Sequence, residues 1–215
     1  MFATPVSGLP ARAARTTRDT EPAATEQPET PVRGEAPVRG EAPAPGAAES
    51  TAAPTEADLL DFVRRAAADA ELVASLPLDP ENRTWLRLEG PGGSEAWLIG
   101  WPPGTGTGWH DHGGSRGAFT TAGGELTEHS LAARIPTEGW RTLELAEGVD
   151  RVRALTTGRG RAFGPHHVHE VLNNSASEHA VSVHAYYPPL PLMRRYSRTG
   201  DVLRLEQTEQ PGEWE

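Results

Sequence analysis

In Gly104-Thr105-Gly106-Thr107-Gly108-Trp109-His110-Asp111-His112-Gly113-Gly114-Ser115, two histidines bracket an aspartate between glycine-rich turns. In a β-strand, side chains two apart share a face, so His110 and His112 are expected to meet one ion while Asp111 points away. A helix would space a ligand pair three or four residues apart. A second segment, His166-His167-Val168-His169, offers a third imidazole, and alternation alone leaves His167 and His169 both open. Three neutral imidazoles around one ion leave adjacent octahedral positions for a bidentate substrate and dioxygen.

Composition narrows what such a site holds. The chain has no cysteine, which excludes disulfides, thiolate nucleophiles and sulfur-ligated zinc or iron–sulfur sites. Any metal is therefore bound by histidine or oxygen. There is no lysine for a Schiff base, and a formal charge of −10 argues against a nucleic-acid partner. The start of the chain carries no apolar run of about 7–15 residues, so neither a secretory signal nor a membrane partner is expected. A cytoplasmic monomer is the expectation.

Residues 1–54 are rich in Pro, Ala, Glu, Thr and Gly, and repeat Pro31-Val32-Arg33-Gly34-Glu35-Ala36 as Pro37-Val38-Arg39-Gly40-Glu41-Ala42. With few large apolar groups to offset ordering entropy, this tail is expected to be disordered. Residues 55–215 are expected to form the folded domain. Thr55 caps a packing helix whose apolar residues, from Leu59 to Leu76, recur at helical spacing until Pro77. From Thr84 onward, short strand-like segments separated by turns predict a mainly β fold, a jelly-roll β-barrel: 84–89, 95–101, 117–121, 125–132, 141–145, 162–164, 168–172 and 180–187. The glycines at 104, 106 and 108 lack the lysine and helix of a phosphate loop.

The histidine stretch resembles the cupin superfamily, in which a glycine and five residues precede His-x-His; Gly104 and later Gly124 fit that pattern. The glutamate ligand usual in cupins is replaced by Gly117, so the resemblance implies an all-histidine site. In the second cupin motif, Gly158, His169 and Asn173 are matched, while Gly164-Pro165-His166 stands where Pro-x-Gly is usual. A closer resemblance is to the cysteine dioxygenase family of thiol dioxygenases. It rests on His110-Asp111-His112-Gly113-Gly114-Ser115, on Ser182-Val183-His184-Ala185-Tyr186, and on Pro188-Pro189 shortly after.

That resemblance implies Fe(II) held by His110, His112 and His169, the last selected because the family's third ligand lies thirteen residues before the serine. It implies that Ser182, His184 and Tyr186 form a hydrogen-bonded chain into the iron site, and that Arg87 in Trp85-Leu86-Arg87 pairs with the substrate carboxylate. Some mammalian members crosslink the tyrosine to a cysteine at the position of Gly117, which this chain cannot do. The implied reaction is oxidation of L-cysteine by O2 to cysteine sulfinate. A 3-mercaptopropionate or other small-thiol dioxygenase is the alternative within that chemistry, and a metal-binding sensor without turnover the alternative outside it. His129 and His179 are assigned no function.

Overall fold

Thr55 opens the folded part of the chain as a helix cap. Its hydroxyl accepts from the Asp58 N–H, and the Asp58 carboxylate accepts from the Thr55 N–H in return. Helix α1, Glu56–Ala68, follows and buries Leu59 and Val63. The single helix expected as far as Pro77 is in fact two. Asp69 ends the first, and its carboxylate accepts from the N–H groups of Glu71 and Leu72 to start α2, Ala70–Ala74. A short acidic side chain that bonds nearby backbone competes with helix continuation, and here it wins over apolar periodicity.

The structure is a computed structural model describing residues 52–136 and 138–213. The disordered tail expected over residues 1–54 thus falls, through residue 51, outside the described residues.

The rest is β-structure: β1 Thr84–Glu89, β2 Glu95–Trp101, β3 Trp109–His110, β4 Arg116–Gly123, β5 Glu125–Leu131, β6 Thr142–Glu144, β7 Asp150–Thr156, β8 Gly160–Phe163, β9 His169–Leu172, β10 Ala180–Tyr187, β11 Met193–Thr199 and β12 Val202–Glu209. These form two antiparallel sheets, one in the order β1-β2-β10-β4-β8 and one in the order β6-β12-β11-β3-β9-β5-β7. The arrangement is the mainly β, cupin-type jelly roll that was expected.

Three strands were not foreseen: β7, β11 and β12. They carry many charged residues and much exposed surface, with Val152 of β7 66% exposed, so apolar alternation is faint there. The histidine stretch also departs from expectation. Its strand ends at His110, leaving Asp111 and His112 in the following turn, where Gly113 adopts φ 62°.

Alternation does hold in β10 and β2. Val181, Val183 and Ala185 join Leu98 in packing against α1, whose Leu59 and Val63 are fully buried. Burying each such side chain contributes about 1.5–3 kcal/mol. The opposite face of β2 and β10 presents Trp97, Trp101 and Tyr186 to the space between the sheets. That space holds the site.

Candidate metal centre

His110 and His169 sit directly opposite each other on the paired strands β3 and β9. Their rings lie 4.6 Å apart between centroids, and the His112 ring is 5.1 Å from each. One ring nitrogen from each of the three lies within 4.8 Å of the others. Asp111 points away, as alternation suggested, although the cause is the turn and its anchors. Its carboxylate accepts from the Tyr196 hydroxyl at 2.7 Å, from Arg194 at 3.2 Å and from the Gly113 N–H at 2.9 Å.

The donor set fits a divalent metal. His110 Nδ1 lies 2.9 Å from the Gly108 carbonyl and His169 Nδ1 lies 2.9 Å from Glu128 Oε1, so each ring has Nε2 left over. His112 is 1% exposed, yet neither of its ring nitrogens has a hydrogen-bond partner among the described residues. Such a buried orphan carries a large desolvation cost unless an ion takes it up. Burial, followed by the neighbouring imidazole, holds the pKa of both His110 and His112 well below the usual histidine value. Burial does the same for His169 against its bond to Glu128. Neutral imidazole is the ligating form.

Across the cavity, Trp101 Nε1 donates to Ser182 Oγ at 2.8 Å. Ser182 Oγ is 2.8 Å from His184 Nε2, and His184 Nδ1 is 3.1 Å from the Tyr186 oxygen. The direction of this chain follows from burial. Indole only donates, so Ser182 accepts there, and with no exposed surface its own O–H needs an acceptor. His184 Nε2 supplies that acceptor, which leaves the proton on Nδ1 facing the tyrosine oxygen. The phenol O–H is then turned away from the chain. Burial, with the Arg83 charge adding to it, pushes the His184 pKa down to about 3. Burial and the Glu95 charge raise that of Tyr186, so the ring is neutral and the phenol keeps its proton.

A family model described as cysteine dioxygenase type I matches residues 43–199. The chain belongs to this family. No curated protein matched. Among solved structures, a recombinant oxalate oxidase in complex with glycolate is 18% identical, with 50% of this chain and 52% of that one covered and a TM-score of 0.38. The protein TT1209 from Thermus thermophilus is 19% identical, with 52% and 88% covered and a TM-score of 0.37. The cupin domain of Schizosaccharomyces pombe Cnp3 is 10% identical, with 53% and 65% covered and a TM-score of 0.37. The chain thus spans about half the length of the oxalate oxidase.

In this cysteine dioxygenase-family chain, His110 and His169 open onto a cavity of about 90 Å³ also walled by Trp85, Trp97, Ile99, Trp101, Leu190 and Met193. Two guanidinium groups reach its wall. Arg195 is fixed by Glu209 at 2.9 Å and by the Thr107 carbonyl at 3.2 Å, and Arg83 lies 5.5 Å over the Trp101 ring. Arg87, expected at the substrate carboxylate, is not among the lining residues. It is exposed, with its guanidinium 5.6 Å over the Trp97 ring. Gly117 has no room for a side chain, since a Cβ there would stand 2.6 Å from the Phe163 ring and 2.9 Å from Tyr186.

Sequence reading missed Arg83, Arg195 and the surroundings of Glu128. Glu128 has no exposed surface; its Oε1 accepts from His167 Nε2 and His169 Nδ1 at 2.9 Å each, and its Oε2 from Arg161 at 2.8 Å. Burial alone would raise its pKa, but the two histidine bonds and the Arg161 charge outweigh it and hold the carboxyl far below the usual range. A signal for Glu128 existed: in β5 it shares the inward register with Leu126 and Ser130, where a lone acid demands buried partners. Of the two unassigned histidines, His129 pairs with Glu170 at 3.0 Å and His179 bonds the Asp79 carbonyl at 2.9 Å. No described helix is long and apolar enough to cross a membrane.

Proposed function

We propose that this protein is an iron(II)-dependent thiol dioxygenase that oxidises a small carboxylated thiol, L-cysteine foremost, to its sulfinate with both oxygen atoms from O2. The observation that carries the reading is a cluster of three neutral imidazoles, two of which, His110 and His169, open onto a small cavity that His184 and Tyr186 of the hydrogen-bonded Ser182–His184–Tyr186 chain also line. Bound by His110, His112 and His169, iron(II) would activate the thiol and dioxygen together and mediate transfer to O2 of the four electrons that the sulfur gives up.

The chain's own residues do the rest. Tryptophan and aliphatic walls exclude water, which strengthens every charge interaction inside. Arg195, pre-set by Glu209 and Thr107, and Arg83 present planar forks to a substrate carboxylate and so orient the sulfur end toward the histidines. The arginine assigned by the family resemblance, Arg87, stands beside Trp97 and would have to leave that ring to join them. Tyr186 offers a neutral O–H beside the site, its oxygen fixed through His184, Ser182 and Trp101. A phenol that keeps its proton is a fixed donor for oxygen developing charge.

The deciding experiment loads iron(II) anaerobically, then follows oxygen uptake with L-cysteine, 3-mercaptopropionate and cysteamine, identifying products by mass. Uptake with a product heavier by two oxygen atoms is expected for the carboxylated thiols and not for cysteamine. Bound iron with no thiol-dependent uptake would leave a sensor as the better description.

A further inference from the structure

We propose that Glu128 is a positioning residue for the third metal ligand, holding His169 in the tautomer that leaves Nε2 for the ion, and that His167 divides this hold. The proposal rests on His110, His112 and His169 forming a metal site, but not on the reaction performed there. An ionised carboxylate only accepts hydrogen bonds, so the His169 nitrogen 2.9 Å from Glu128 Oε1 must carry a proton. That nitrogen is Nδ1, and the lone pair is thereby placed on Nε2.

His167 Nε2 reaches the same oxygen at the same distance, and the His167 ring is held in place by stacking on Phe163 with 4.6 Å between centroids. Two imidazole N–H groups thus compete for one oxygen. The second oxygen is engaged by Arg161 at 2.8 Å, with Arg153 3.6 Å away. The carboxylate is fully buried and charge-compensated from behind, so it stays anionic and aimed at His169.

Glu128, His167 and His169 also lie close enough together to read as a second cation site. The two arginines argue otherwise, because an added cation would face positive charge already supplied at the same carboxylate. The trio is therefore a hydrogen-bond relay behind the metal. Its consequence is a pair of opposite effects: loss of Glu128 weakens His169 as a ligand, whereas loss of His167 leaves Oε1 to His169 alone.

The test begins with the unmutated, zinc-loaded protein. Long-range proton–nitrogen NMR should show His169 protonated at Nδ1, and a bare Nδ1 would overturn the proposal whether or not any variant folds. Zinc and cobalt affinities are then compared by competition titration. E128Q should bind about 10–100-fold more weakly, as expected when a carboxylate behind a ligating histidine is lost. H167L should bind no more weakly than the parent, and its cobalt absorption should move in the direction opposite to that of E128Q. Unchanged affinity in E128Q, a tenfold loss in H167L, or two zinc ions per chain falling to one in H167L would each overturn it. Metal binding that behaves as described, without thiol-dependent oxygen uptake, would count against the proposed enzyme activity alone.

Discussion

Replacing His184 by glutamine should remove a defined part of the acid sensitivity of folding. The ring is 4% exposed, and burial, with the Arg83 charge behind it, pushes its pKa down to about 3, against about 6.5 in an unfolded chain. Between those values the unfolded state binds a proton that the folded state refuses, so this group's contribution to stability is full above pH ~6.5 and is lost as pH falls toward 3. At about pH 5, protonation lowers the unfolded state by roughly 2 kcal/mol, while a folded pKa near 3 gives the native state almost nothing in return. At about pH 7.5 the same effect is near 0.1 kcal/mol. Urea unfolding of the metal-free protein, measured at both pH values for parent and H184Q, isolates the effect. His110, His112 and His169 are present in both proteins, so their own contributions largely cancel. The parent should lose about 2 kcal/mol more than H184Q between the two conditions. Equal losses would show that His184 is protonated in the fold, and the donor direction assigned to the Ser182–His184–Tyr186 chain would fail with it.

Alanine at His110, His112 or His169 should abolish both iron loading, measured by a chelator assay, and turnover; full activity in any one of them would remove that residue from the metal site. Glutamine at Arg195 should raise KM for a carboxylated thiol about 10–100-fold with less effect on kcat, the range expected when a charged hydrogen bond of about 1.5–3 kcal/mol is lost. R83Q should follow in the same direction. R87Q should have a smaller effect, because that guanidinium must first give up its place over Trp97, worth about 0.5–1 kcal/mol. Alanine at Gly117 should cost about 1–3 kcal/mol, because its Cβ would press on the rigid rings of Phe163 and Tyr186. Thermal melting would register that as a drop of several degrees.

How legible the molecule was in its sequence depended on whether a residue's role is local. His110 and His112 declare themselves by spacing, and Ser182, His184 and Tyr186 share the inward face of β10 simply because they alternate with Val183 and Ala185. His169 could not be separated from His167 by periodicity. What separates them in the fold is that His169 pairs with His110 across β3 and β9, whereas His167 precedes the strand and turns to Glu128. Arg83 and Arg195 are more than a hundred positions apart in the chain and meet the cavity only because β11 lies beside β3 while the turn before β1 closes over Trp101. The β11 and β12 strands themselves were hidden by their charge. Helix α1 was legible in its cap and core face, but not in its end, where Asp69 overrode the apolar pattern.

The buried polarity of the site is divided between the two sheets. His110 and His169 stand on the seven-stranded sheet, with His112 in the turn beyond β3, and their backing groups, Glu128 and Asp111, are anchored among that sheet's strands and turns. Ser182, His184 and Tyr186 stand on the five-stranded sheet, braced by Trp101 of the adjacent β2. The halves are also tied by a polar contact, since Arg161 of β8 in the five-stranded sheet donates to the Glu128 carboxylate behind His169 at 2.8 Å. What the two halves share is the apolar lining and the rings of Phe119 and Phe163, which touch histidines of both halves or their tyrosine. Those rings pack between the three-histidine cluster and the Ser182–His184–Tyr186 chain. In this chain, ring packing against Gly117 therefore occupies the space in which some relatives place a covalent bond to the tyrosine.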